Sequence, residues 1–332
     1  MDIFNIKPNV VSKDLCGYTV LMYGQPKTGK TTTAAKFDKA LLCAFEVGYL
    51  TIPGVMAQPI NRWSEFKQVI RQLDSEEGHK TYKNIVIDTA DICYDLCEKY
   101  ICSMEGVSAI GDIPYGGGYA KAKKEFDETL RRIPAMGYGL ILISHAQDKT
   151  FKDENGSEYQ QIVPTLGNQP RLVVDRMSDI IIYVHPVEEE DGTVHSIGYL
   201  RGTPRFVAGS RFKYMPDFIE FNYETLVKTV ADAVDAISKN DGKEFVTDKP
   251  TSAHEPSPEI DFDALMNEFK TLVDKIQKNT GADFGKKWAP IITSIVEKHL
   301  GKGKKVNDMS RDQGEQLILI VDDLVEVVGN GL

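Results

Sequence analysis

Residues 24 to 31 read Gly-Gln-Pro-Lys-Thr-Gly-Lys-Thr, a full GxxxxGK(S/T) loop. No other stretch constrains the fold as tightly. The glycines let the backbone wrap around phosphate groups with its N–H groups pointing inward. Lys30 brings a mobile positive charge to the outer phosphates, and the Thr31 hydroxyl suits a magnesium ion. Such a loop belongs between a buried strand and a helix, because the helix N-terminus favours anions. Tyr18 to Tyr23 reads as that strand, and Thr32 to Phe37 as the first turns of that helix. Gly24, Gln25, Pro26, Lys27, Thr28, Gly29, Lys30 and Thr31, with Thr32 behind them, are therefore expected to hold nucleotide phosphates.

From about Gly17 to Ile237, strand-like and helix-like segments alternate. Residues 41–45, 84–88, 139–144 and 179–184 are short apolar runs that suit strands buried on both faces. Amphipathic stretches such as Trp63 to Leu73 and Tyr119 to Ile133 lie between them. The pattern predicts an α/β fold, a central mostly parallel sheet flanked by helices. Composition then shifts. Residues 238–260 carry three prolines and few apolar side chains, which reads as a flexible linker after a first domain at 1–237. Beyond it Phe262, Leu265, Phe269, Leu272, Val273 and Ile276 recur at helical spacing, with Asp261 as N-cap. Two further helices, about Trp288 to Leu300 and Arg311 to Val328, complete a helical module at 261–332.

The chain has 332 residues, 42% of them hydrophobic, and a net charge of −10. That charge argues against coating nucleic acid with the whole surface and leaves room for a local basic groove. No apolar run approaches the roughly 18 residues of a membrane helix, and no signal peptide is visible. The five cysteines lack zinc-like spacing and read as reduced thiols in a cytoplasm.

Asp88 ends the apolar run Ile85-Val86-Ile87 and resembles a Walker B carboxylate, able to coordinate magnesium water. The next residue is Thr89, not the glutamate that many ring ATPases place there. The water-activating carboxylate must then come from elsewhere, or hydrolysis is slow. Glu46, in Ala44-Phe45-Glu46-Val47-Gly48, follows the second strand, where an open parallel sheet lines its ligand crevice. A carboxylate there can orient water and accept its proton. His145, just past the next strand, has two readings: a sensor of the γ-phosphate or a structural histidine.

Together these residues resemble the RecA-like branch of P-loop ATPases, and most closely the phage-encoded AAA-type ATPases of the single-strand annealing and recombination group. The likeness spans roughly residues 15 to 225. It is carried by Gly24 to Thr31, Phe45 to Gly48, Ile85 to Asp91, Tyr115 to Tyr119, Ile143 to His145 and Phe206 to Arg211. The resemblance implies ATP and Mg2+ at Lys30, Thr31 and Asp88, and water activation by Glu46. It implies a sheet with the His145 strand between the phosphate-loop strand and the Asp88 strand. It also implies a homo-oligomer, in which Arg205, Arg211 or Lys213 would reach ATP on a neighbouring subunit, Arg211 being favoured. Each is otherwise a solvated surface cation.

Single-stranded DNA is the partner the resemblance implies, inside a bacterial host cytoplasm if the chain is phage-encoded. Tyr115 and Tyr119 could stack on bases, and Lys121, Lys123 and Lys124 could meet phosphates. Residues 148–170 read as a polar, mobile loop of mixed charge. In the C-terminal module, six lysines stand against one glutamate between 286 and 305, then six acids against one arginine to the end. The basic turn with Lys302, Lys304 and Lys305 could hold DNA, dock a single-strand-binding protein, or be only a solvated turn. Two other functions share the loop: a nucleotide or small-molecule kinase, and a nucleotide-gated loader or scaffold with little turnover.

Overall fold

The computed structural model describes residues 4, 6, 8–250 and 260–331. The chain divides into two compact units, residues 1–256 and 257–332.

In the larger unit the elements run β1 (Val11–Ser12), β2 (Thr19–Gly24), α1 (Lys30–Ala35), β3 (Ala40–Ala44), β4 (Ala57–Pro59), α2 (Trp63–Leu73), α3 (Glu76–Thr81), β5 (Asn84–Asp88) and α4 (Ala90–Glu105). Then come α5 (Gly117–Ala135), β6 (Gly139–Lys152), β7 (Glu158–Pro164), α6 (Asn168–Met177), β8 (Ile180–Glu188), β9 (Val194–Tyr199), β10 (Gly209–Ser210), β11 (Phe218–Glu220), α7 (Tyr223–Asn240) and β12 (Val246–Thr247). The main sheet has the order β11-β9-β8-β2-β6-β5-β3-β4. Its central strands, from β8 to β4, are parallel, while β9 and β11 add an antiparallel wing. The strand that ends at His145 thus lies between the phosphate-loop strand and the Asp88 strand.

The apolar runs form strands because both their faces are covered. Side chains alternate across the sheet. Leu21, Ile85, Ile87, Leu140 and Leu142 meet Trp63, Phe66 and Phe126 of α2 and α5 in one core layer. Val20, Met22, Val86, Ile141 and Ile143 meet Leu226 and Val230 of α7 in the other. Burying each such side chain contributes roughly 1.5–3 kcal/mol. Because the strands are parallel, their carboxyl ends share one edge. Gly24 pairs with His145, Ala44 with Asp88, and Asp88 with Ile143, so these positions stand level.

Two expectations change. The linker expected at 238–260 is partly structured: α7 runs to Asn240, and Val246–Thr247 pair in parallel with Val11–Ser12. Half-buried Val246 packs on the α7-side core, which ties this segment to the larger unit. Residues 251–259 of that linker lie outside the described residues. The loop expected at 148–170 is instead a regular hairpin, β6 pairing antiparallel with β7 from Ala146↔Pro164 to Lys152↔Glu158. Its turn carries Asn155 and Gly156, with Gly156 at φ 80°. A stacked Phe151–Tyr159 pair joins the strands.

The smaller unit packs α8 (Phe262–Thr280), α9 (Ala289–Leu300) and α10 (Gly314–Gly331). The Asp261 side chain caps α8, accepting from the Ala264 amide at 2.9 Å. Ile276, Trp288, Val296, Val306, Leu317, Ile320, Val321 and Leu324 form its core. Among the described residues no helix is long and apolar enough to cross a membrane.

Candidate functional site

The carboxyl ends of β2, β3 and β5, level with the middle of β6, open into a cleft of about 490 Å³. The 24–31 loop forms one wall. Gly24 packs so close to β8 that a Cβ there would stand 2.2 Å from the Val184 carbonyl oxygen. Gly29 takes φ 83°, the left-handed conformation that starts α1. No side chain caps α1, so the amides of Lys30, Thr31 and Thr32 have no intrahelical acceptor. Pro26, Lys27, Gly29, Lys30, Thr31 and Thr32 all line the cleft. Thr28 is buried, its hydroxyl donating to the Gln25 carbonyl at 2.9 Å.

Lys30 is 4% exposed, and its Nζ donates to the Gly24 and Gln25 carbonyls at 3.0 and 2.7 Å. No carboxylate forms an ion pair with it among the described residues. Burial lowers its pKa to about 8, against the opposing pull of Asp88, Glu46 and Asp91. A buried ammonium held only by carbonyls and a hydroxyl fits an anion. Thr31 Oγ1 donates to Asp88 Oδ2 at 2.8 Å. Burial pushes the Asp88 carboxyl up and Glu46 adds to this, while Thr31 and Lys30 oppose it. These two hard oxygens suit magnesium, which usually keeps waters and phosphate oxygens for the rest of its shell. No cluster of three or more His, Cys, Asp or Glu side chains forms a metal site among the described residues.

Glu46 lies just past β3, anchored by its amide on the Asp88 carbonyl at 3.0 Å. Its Oε2 is 3.3 Å from His145 Nε2. An ionised carboxylate only accepts, so Nε2 carries the proton in this bond. His145 Nδ1 is buried with no hydrogen-bond partner among the described residues. Thus Lys30, Thr31, Asp88, Glu46 and His145 converge on one cleft. Sequence reasoning missed Gly48, Thr51 and Ile52, which also line it. Their position beyond β3 was the available signal, by the rule that selects Glu46. It also missed a buried chain behind the cleft. Ser144 Oγ is 3.1 Å from Thr165 Oγ1, which donates to Asp91 Oδ2 at 2.8 Å, while the Thr165 amide donates to the His145 carbonyl.

The remaining candidates separate. Arg211, the favoured inter-subunit cation, lies away from the cleft of its own chain. It pairs with Asp179 at 2.9 Å and donates to the Arg176 carbonyl. Its neighbour Ser210 pairs with Ile180, which pairs with Val20 at the start of β2, so it sits at the sheet edge away from the cleft. Lys213 is bound to Asp241 at 2.8 Å. Arg205 is exposed, on a turn bridged to Ile162, with no ion-pair partner among the described residues. Tyr115 is fully exposed. Tyr119, Lys123 and Lys124 line one depression with Gln169 and Asp127. Next to Gln169, Asn168 accepts from Lys149 of the hairpin at 2.7 Å. Lys121 is drawn off by Glu105 at 2.7 Å. Lys302, Lys304 and Lys305 belong to the smaller unit and are exposed.

A parallel sheet whose first strand leads into a phosphate loop, with an acidic strand end facing the loop threonine, defines a P-loop NTPase. The AAA domain family, a family of P-loop ATPases, matches residues 17–212, and the chain belongs to it. The SPbeta prophage-derived uncharacterized protein YorG of Bacillus subtilis (strain 168) is 31% identical over 335 residues, 99% of each chain. Among solved structures, flagellar accessory protein FlaH from Methanocaldococcus jannaschii overlaps at a TM-score of 0.35 and 10% identity, covering 63% of this chain and 87% of that one. A likeness that slight carries no function across. P-loop ATPases of this family generally use ATP and Mg2+.

Proposed function

We propose that this chain hydrolyses ATP and uses the cycle to act on single-stranded DNA in recombination or annealing, as a phage-encoded oligomer. The observation that carries the ATPase reading is the pairing of Glu46 with His145 across from Lys30, Thr31 and Asp88. Lys30 would exchange the loop carbonyls for the β- and γ-phosphates. Thr31 and Asp88 would hold magnesium, whose charge offsets that of the phosphates. Glu46 would orient the attacking water and take its proton. The Nε2–H of His145 fixes the Glu46 carboxylate, so a change at the γ-phosphate would be felt at the middle of β6.

Two features support the DNA reading. One is the prophage origin of the 31% identical relative. The other is the aromatic and basic depression of Tyr119, Lys123 and Lys124, contiguous with the hairpin through Asn168 and Lys149. Bases can stack on exposed tyrosines while lysines track phosphates. In this reading Arg205, Arg211 or Lys213 would reach ATP on a neighbouring subunit, Arg205 being the one with no ion-pair partner among the described residues.

The test is steady-state ATP hydrolysis with and without single-stranded DNA. The expected result is turnover stimulated by DNA and abolished by Lys30→Ala. Phosphate transferred to a small acceptor would replace this reading with a kinase. Binding of ATP without turnover in either condition would replace it with a nucleotide-gated scaffold.

A further inference from the structure

The smaller unit holds a groove that the nucleotide cleft does not use. It has a volume of about 310 Å³ and is lined by α8, α9 and the turn at 303–307. Phe269, Ile292, Val296 and Val306 make it apolar, and Lys304 and Lys305 stand at its rim. The turn is fixed, since Glu297 accepts from the Gly303 amide at 2.7 Å. Both lysines are exposed and have no ion-pair partner among the described residues. Such cations beside an apolar groove select an occupant that is acidic and also offers aliphatic side chains.

The same unit displays that chemistry on another surface. On α10, Glu315, Leu319, Asp322 and Glu326 are spaced by four, three and four residues, so they share one face, with Val325 beside them. Leu319 is 50% and Val325 47% exposed, although the core side of the helix is already filled by Leu317, Ile320, Val321 and Leu324. Glu315, Asp322 and Glu326 have no ion-pair partner among the described residues. Asp323, by contrast, is taken by Lys298 and His299. Among the described residues, none of α10 lines the groove.

We propose that the acidic, apolar stripe of α10 docks into the groove of a second copy of this chain. Opposite charges meet at the rim while Leu319 and Val325 cover the apolar lining. A nucleic acid would satisfy the lysines but has no aliphatic side chain for the groove. Groove and stripe are different surfaces, so the contact is head-to-tail and builds rings or filaments rather than closed pairs. One helix face buries less than the roughly 1,200 Å² of a stable standalone interface, so the contact is weak and salt-sensitive. No residue in it belongs to the nucleotide cleft, so it forms without ATP.

Sedimentation velocity of the full chain without nucleotide tests this. Wild type associates with rising concentration at low salt and dissociates at high salt. Lys304→Glu with Lys305→Glu, or Asp322→Lys with Glu326→Lys, each weakens association roughly tenfold or more. Circular dichroism verifies that these exposed changes leave the fold intact. An equimolar mixture of the two variants associates again, because one now has an acidic groove and the other a basic stripe. Leu319→Ser weakens association without changing charge. A wild type that stays monomeric, variants that associate like wild type, or a mixture that fails to recover overturns the proposal. Thymidine-oligonucleotide binding that Lys304→Glu with Lys305→Glu abolishes, with self-association unchanged, also overturns it and assigns the turn to nucleic acid.

Discussion

At the carboxyl ends of β2, β3 and β5 and the level middle of β6, Lys30 is buried against carbonyls, Asp88 is buried beside a threonine, and one His145 ring nitrogen has no hydrogen-bond partner among the described residues. At the amino ends of the same strands the charged groups are satisfied. Asp179 accepts from the Thr19 amide at 2.8 Å and from Arg211 at 2.9 Å, and Asp38 holds Lys83 at 2.6 Å. One sheet thus carries two electrostatic regimes about a strand length apart. The amino edge spends its charges on the fold. The carboxyl edge holds charges that the fold alone does not repay, and a phosphate ligand and a metal suit them.

Substitutions at the two edges sharpen that contrast. Glu46→Gln retains ATP binding and lowers turnover by about 10²–10⁴-fold, the usual range for a lost general base. Wild-type turnover in this variant would remove Glu46 from the reaction. Lys30→Met lowers turnover by about 10²–10³-fold and has a second, opposite consequence. Its folded pKa of about 8 lies below the ordinary lysine value of 10.5, so the unfolded chain binds more protons between them. Wild-type stability therefore rises as pH climbs through that window. Lys30→Met is expected to be more stable than wild type by about 1–3 kcal/mol at pH 7, the gap closing toward pH 10.5. Denaturant melts at pH 7 and pH 10 measure it, and a destabilised variant at pH 7 would end the contrast.

The amino edge behaves in reverse. Asp179→Ala strands the Thr19 amide and costs about 1–3 kcal/mol of stability, with turnover per folded molecule unchanged. The smallest effect belongs to Arg211→Ala, about 0.2–1 kcal/mol, because its side chain is largely exposed. A large loss of turnover in Arg211→Ala would place this arginine in the reaction.

Much of the cleft was legible because its parts are local. The loop, its flanking strand and helix, and the acid ending an apolar run are all contiguous patterns. Glu46 was legible from its position after a strand, and His145 only as an open choice, since its bond to Glu46 spans 99 residues of sequence. Long-range pairings beyond the strand order that the resemblance implied were not legible. Nothing in Val11 or Val246 announces that they pair. The hairpin was missed for another reason. Toward its tip the strands are largely exposed on both faces, so apolar alternation gives no signal there, although Asn155-Gly156 was a hairpin cue. The place of Arg211 was not legible, because a motif gives order along the chain, not the edge of the sheet to which a return strand carries it.

One element has a mechanical meaning. β6 is a single 14-residue strand whose first six residues are buried and whose far end is largely in solvent. At about 3.3 Å per residue it runs roughly 45 Å as one stiff shaft. His145 is the seventh residue of that shaft, near its midpoint. A loop leaving the sheet there would absorb a displacement as slack. A continuous strand, clamped at the same level by Thr165, would pass it on, so that a small shift beside the cleft would become a lateral swing at the hairpin tip.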